Sequence, residues 1–277
     1  MTTTTTPNHS GPSKASAPSH RASPAGPTRA PGTVRPLLDL RQVLDTLAMR
    51  ILLAVSGVCV LGMALLATVL QPLILEPDIQ VSSGGALIAV SLVLSVVLPV
   101  LTVLTVAGEW PQSIQQTFLL RPRRTGVLVS KVIAALAITI LVMAVTFGLA
   151  LGLSALVGSV SGRGASFQNL GDNILGLGLA GLFSALFAIA CATLLQGTAL
   201  AMVVSIVVPF VVTIAGNLIG ALGSQTVSDV LRYVDLSTAA QAIATNQIEV
   251  SSIMAPVLLI VLPFIAGAIR WSRREIG

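Results

Sequence analysis

Residues 51 to 70, ILLAVSGVCVLGMALLATVL, carry no charged side chain. Twenty residues wound as an α-helix extend about 30 Å, the thickness of a bilayer's hydrocarbon core. Five more long apolar segments follow, at residues 84–107, 127–157, 173–195, 198–219 and 252–269. Clustering of this kind is what a bilayer requires. The chain therefore reads as an all-α integral membrane protein with six transmembrane helices.

Composition supports this class. The 277 residues are 54% apolar and only 9% charged, against about 25% charged in soluble domains. A net charge of +5 raises the question of nucleic acid. The positive charges lie beside the apolar segments, however, and aromatics make up only 4% of the chain, too few for a base-stacking surface. No nucleic-acid partner is expected. Cys59 and Cys191 both fall inside apolar runs, so they are expected to pack as small apolar residues rather than to form a disulfide.

Four regions follow along the chain. Residues 1–35, opening MTTTTTP and rich in Ser, Pro, Ala and Gly, cannot bury a core and read as a disordered tail. They do not resemble a signal peptide, because the first apolar run starts near residue 51 and no small-residue cleavage site follows it. Residues 36–50 place Leu37, Leu40, Leu44 and Leu47 on one stripe, which suits an amphipathic helix lying in the interface. Arg41 and Asp45 have the spacing of an ion pair on that helix. An N-terminal extension of the first span is the simpler alternative. Residues 51–270 form the six-span domain, and residues 271–277 a short C-terminal tail. Only Gln196 and Gly197 separate the fourth and fifth spans, which predicts an antiparallel hairpin. Residues 220–250 form the longest internal loop, helix-like in its middle but not apolar enough to span.

Basic residues orient the spans. Six spans put both termini on one side. The N-terminal region holds Lys14, Arg21, Arg29, Arg35, Arg41 and Arg50. The loop after the second span adds Arg121, Arg123, Arg124 and Lys131, and the C-terminus adds Arg270, Arg273 and Arg274. The three loops on the other side hold only Arg163 and Arg232. The positive-inside rule then places both termini and the loop after span two in the cytoplasm, as in a multi-pass protein of the cell membrane. Trp271 beside the terminal arginines suits an interface anchor.

Several chemistries lack their residues. The only lysines, Lys14 and Lys131, follow no glycine-rich turn, so the chain carries no phosphate-binding loop of its own. The only histidines, His9 and His20, lie in the tail, which leaves no metal cluster and no catalytic triad. No acid falls in the middle of a span, which argues against a proton relay. The chain is not expected to be an enzyme. Gly148 with Gly152, and Gly216 with Gly220, are four apart, a spacing that favours close helix packing, expected here within one chain. Pro99, Pro209 and Pro263 mark either kinks or segment ends.

Charge within the chain is concentrated in residues 108–131, GEWPQSIQQTFLLRPRRTGVLVSK. Pro111 suits a first helical turn. Trp110, Ile114 and Phe118 then recur every four residues and line one side of a short helix, with Gln112, Gln115 and Gln116 away from them. Pro122 ends it. This is an amphipathic helix at the membrane surface, closed by a basic turn of Arg121, Arg123, Arg124 and Lys131. An exposed Trp–Ile–Phe stripe needs a cover, either a partner groove or the headgroup layer.

The order of Glu109, Trp110, the Thr117-Phe118-Leu119 end, Pro122-Arg123-Arg124 and Lys131 resembles the ABC-2 type permease subunits of ABC transporters. The topology of residues 36–277 is similar to theirs as well. The chain departs from the family in carrying Pro111, Gln112 and Ser113 where a basic residue and a glycine are common. The resemblance implies a permease subunit that forms an export pathway with a second permease subunit, identical or homologous. It implies a separate P-loop ATPase subunit, with ATP and magnesium bound there and no cofactor in this chain. Glu109, Trp110, Ile114 and Phe118 would form the coupling helix in that ATPase's groove. Glu109 would pair with Arg123, Arg124 or Lys131, or stand solvated. Tyr233 and Asp235 would lie in the external loop covering the exit. Uncharged spans favour a lipid-like, peptide or other amphipathic cargo. The alternative is a non-transporting membrane scaffold or signalling subunit that anchors a cytoplasmic partner.

Overall fold

A computed structural model describes residues 45–74, 80–108, 124–221 and 225–273. The described residues hold six helical segments long and apolar enough to cross a membrane. Five are single helices: α1 (Leu47–Ile74), α2 (Ser83–Ala107), α3 (Arg124–Val160), α4 (Leu170–Leu195) and α5 (Thr198–Ala221). Two short helices follow, α6 (Gln225–Arg232) and α7 (Leu236–Ala244). The sixth span is composite: α8 (Val250–Pro256), a π-helical turn (Val257–Val261) and α9 (Leu262–Arg273).

Burial sorts these helices into a centre and a periphery. Half of the apolar window of α2 is buried within the chain, against 11% for α5. α2 packs most extensively on α4 and α3, while α1, α5 and α9 lie outside that trio. One buried cluster joins Val103 and Val106 of α2 to Ala135 of α3 and Ile189 of α4. A second joins Leu87, Val90 and Leu98 of α2 to Val60 of α1 and to Met143 and Phe147 of α3. The outward faces of α1, α3 and α5 carry exposed Leu66, Leu141 and Val211. Only a membrane or a partner covers such faces.

Several boundaries differ from expectation. Leu47 to Arg50 belong to α1 itself, with Met49 buried, so the proposed interfacial helix loses its last residues to the first span. Residues 36–44, Arg41 among them, lie outside the described residues. Asp45 pairs with Arg50 at 2.8 Å. α1 also continues past Gln71 and Pro72 to Ile74. Pro72 sits in the last turn, where the helix loses one bond and runs on for two residues. Pro99, Pro209 and Pro263 all lie within helices and end none of them. Cys191 is buried as expected, but Cys59 is exposed on the outer face of α1. Gly148, Gly152 and Gly216 would meet nothing within 4 Å if given a side chain. Among the described residues they mediate no close packing.

Close contacts hold the bundle at its two ends. At one end, Val81–Ser82 (β1) pairs in parallel with Ala165–Ser166 (β2). The Gln71 side-chain amide donates to Ser82 O at 3.1 Å and accepts from Ser82 N at 2.6 Å. One amide thus satisfies both backbone groups at the edge of the ladder. Ser83 Oγ donates to Ser166 O at 2.9 Å, adding a tie between the two loops. At the other end α9 crosses the end of α4. Arg270 Nη1 donates to Leu194 O at 3.0 Å, filling a carbonyl that the helix end leaves without an intrahelical donor. Gly267 makes this approach possible, since a Cβ there would stand 2.6 Å from Thr193 Oγ1 and 2.8 Å from Leu194 N.

Gly267→Ala should therefore destabilise the protein. The gain in helix propensity, about 1 kcal/mol, is outweighed by overpacking against backbone, about 1–3 kcal/mol. Thermal unfolding in mild detergent should show a lower midpoint for Gly267→Ala and an unchanged or higher one for Gly148→Ala. Equal midpoints would contradict the packing described here.

Candidate functional site

Most residues of the expected coupling segment, Glu109, Trp110, Ile114, Phe118, Arg121 and Arg123, lie outside the described residues. Its two ends are described. α2 ends at Ala107, fully buried, and Gly108 caps it by donating its N–H to Leu104 O at 2.9 Å. Arg124 opens α3. Lys131 follows two turns later and is only 8% exposed, on the helix face that carries buried Val127, Ala134, Ala135 and Ile138. The expectation that the spans carry no charge is corrected here, because Lys131 lies within the third membrane-long helix. In chain order, residues 109–123 connect α2 to α3, two helices of the central trio.

At the opposite end the long loop differs from a simple cover. α7 packs along α4, with Leu236, Ala239 and Ala240 buried. Gln241 reaches Gly176, six residues after the start of α4, where an added Cβ would meet Gln241 Oε1 at 2.8 Å. Leu236, at the other end of α7, joins the buried cluster of Phe187 and Ala188. α7 therefore runs antiparallel to α4, and its N-terminus lies about 16 Å along that helix's axis from its start. A loop helix at this depth keeps its backbone paired through its own helical bonds and its cap, while one face, Leu236, Ala239 and Ala240, packs on protein.

Asp235 makes this placement possible. It is the N-cap of α7, and its Oδ1 accepts from Ser237 N at 2.9 Å and Thr238 N at 3.3 Å, while Oδ2 accepts from Thr238 Oγ1 at 2.9 Å. The carboxylate thus fills orphan donors of the first turn and complements the positive helix end. Tyr233 precedes it and is 41% exposed. The two residues expected together in the loop therefore differ in role: Asp235 is committed to the fold, and Tyr233 is accessible.

The α7 placement creates a cavity of about 260 Å³ between α2, α4, α5 and α7. Ser91 and Ser95 line it from α2, Ser184 from α4, Thr213 from α5, and Ser237 and Gln241 from α7. Leu94, Leu177, Ile206 and Leu236 supply apolar walls. Among the described residues no ionisable side chain lines it. Sequence reading missed this site because its residues come from four separated segments. The one local signal was the four-residue spacing of Ser91 and Ser95 on one face of an apolar helix. Among the described residues no cluster of three or more His, Cys, Asp or Glu is present. Neither known protein families nor curated proteins give a match to this chain.

Asp235→Ala should remove the cap and cost about 1 kcal/mol. Hydrogen exchange should then rise in residues 236–244, with Asp235→Asn close to the parent. Unchanged protection in Asp235→Ala would show that the cap does not hold α7.

Proposed function

We propose that this chain is the permease subunit of an ABC-2 type exporter, working as a dimer with a second permease subunit and driven by a separate P-loop ATPase. The observation that carries this reading is the position of residues 109–123. They link α2 and α3, two of the three helices at the centre of the bundle. A force applied to that segment acts on the packed core rather than on a peripheral helix. In a helix, the spacing of Trp110, Ile114 and Phe118 would supply an apolar face for a partner groove. The charge asymmetry supports a cytoplasmic position for that face, the side on which an ATPase is found.

The arrangement at the other end supports the same reading. With residues 109–123 cytoplasmic, α6, α7 and the β1–β2 ladder fall on the external side. α7 then dips from outside towards the middle of the bundle. Arg270 and Gly267 tie the sixth span to the cytoplasmic end of α4. Motion of α2 and α3 would reach the sixth span through α4.

Purification of the full chain from its native membranes in mild detergent tests this reading. A P-loop ATPase should accompany the parent chain and be lost from the double variant Trp110→Ala, Phe118→Ala. A parent chain that arrives without any ATPase, with ATP hydrolysis at background, would reject the exporter and favour the scaffold.

A further inference from the structure

The cavity between α2, α4, α5 and α7 has a polarity that restricts its occupant. At about 260 Å³ it falls just below the roughly 300–1,000 Å³ of typical ligand sites. That leaves room for one chain or one small head, not for a two-chain lipid. Its α2 wall is rich in acceptors. Ser91 Oγ donates to Ile88 O at 2.7 Å and Ser95 Oγ donates to Leu92 O at 2.7 Å. Each hydroxyl has one hydrogen, so what these oxygens still offer is lone pairs. Pro99 has no N–H, and the Ser95 carbonyl loses its usual helical donor as a result. An occupant that brings hydrogen-bond donors is therefore favoured.

Charge is excluded by the same surroundings. Among the described residues no ionisable side chain lines the cavity, and a buried ion without a partner is strongly disfavoured. Access is lateral. Leu92 is 58% exposed and Phe210 40% exposed at the rim, on surfaces of α2 and α5 that a spanning bundle turns to lipid. The apolar walls continue inward from this rim to Leu94, Ile206 and Leu236.

We propose that this cavity binds an uncharged single-chain amphiphile with a polyol head, of the monoacylglycerol type, which enters sideways from the bilayer. Its head occupies the cavity, with hydroxyls donating to Ser91, Ser95 and the Ser95 carbonyl, and its chain leaves over the Leu92 and Phe210 rim into the bilayer. Binding is a property of this chain alone, so it stands or fails separately from the partnership with an ATPase.

The test uses the full chain in nanodiscs and a monoacylglycerol carrying a photoactivatable diazirine in its acyl chain. Cross-links should saturate and map to residues 88–99 and 206–213. Unlabelled monoacylglycerol should compete, and lysophosphatidylglycerol, of equal chain length but anionic, should not. The double variant Ser91→Ala, Ser95→Ala should weaken labelling about tenfold, as expected for two lost hydrogen bonds. Thr213→Trp should block labelling by bulk, and Gly148→Ala, on an open face of α3, should leave it unchanged. Each variant is compared at equal gel-filtration profile and helical content. Labelling spread over all lipid-facing surfaces, equal competition by the anionic lipid, or labelling unaffected by Thr213→Trp would overturn the assignment.

Discussion

In hydrocarbon an unpaired backbone N–H or C=O costs several kcal/mol, and the departures from straight helix in this bundle are placed where other groups can meet that demand. Pro99 deprives the Ser95 carbonyl of its helical donor, and Ser95 borders the cavity, where water or an occupant can supply one. In the sixth span the N–H of Leu262 bonds back five residues to Val257 O. That π-helical register inserts one residue ahead of Pro263, whose ring would otherwise crowd the preceding turn. At the edge of the short β-ladder the Gln71 amide does for Ser82 what a neighbouring strand would do.

The same demand explains why a polar loop helix can lie deep in the bundle. α7 has Asp235 on its first-turn donors and Gly176 beneath Gln241. Both features depend on a small or short side chain at one position. Small residues act similarly at Gly267, where α9 meets the end of α4. Glycine spacing alone does not reveal this: the pair Gly148 and Gly152 has the motif and no close contact among the described residues, whereas Gly176 and Gly267 have contacts and no motif.

What was legible in the sequence was whatever depends on nearby residues. The six spans follow from long apolar runs, and the α4–α5 hairpin from Gln196 and Gly197. Gln196 adopts a left-handed φ of 54° at that turn. The helical character of the loop before span six was legible too, as α6 and α7. Its depth was not, because the burial of Leu236 in one cluster with Phe187 depends on residues far apart in the chain. The Gln71–Ser82 tie, the β1–β2 pairing and the cavity across four helices are non-local in the same way. The proline readings had two outcomes in sequence, and packing around Pro99 and the π turn before Pro263 decide for continuation.

The functional account rests on which side of the membrane holds residues 109–123, since an ATPase can act only from the cytoplasm. The most direct measurement is side-specific labelling of single cysteines with a membrane-impermeant maleimide, after Cys59→Ala and Cys191→Ala. In intact cells Ser161→Cys, in the loop after α3, should label and Ser113→Cys should not. In inside-out vesicles the pattern should reverse. Labelling of Ser113→Cys from outside intact cells would place the segment beyond the reach of any cytoplasmic ATPase and contradict the account.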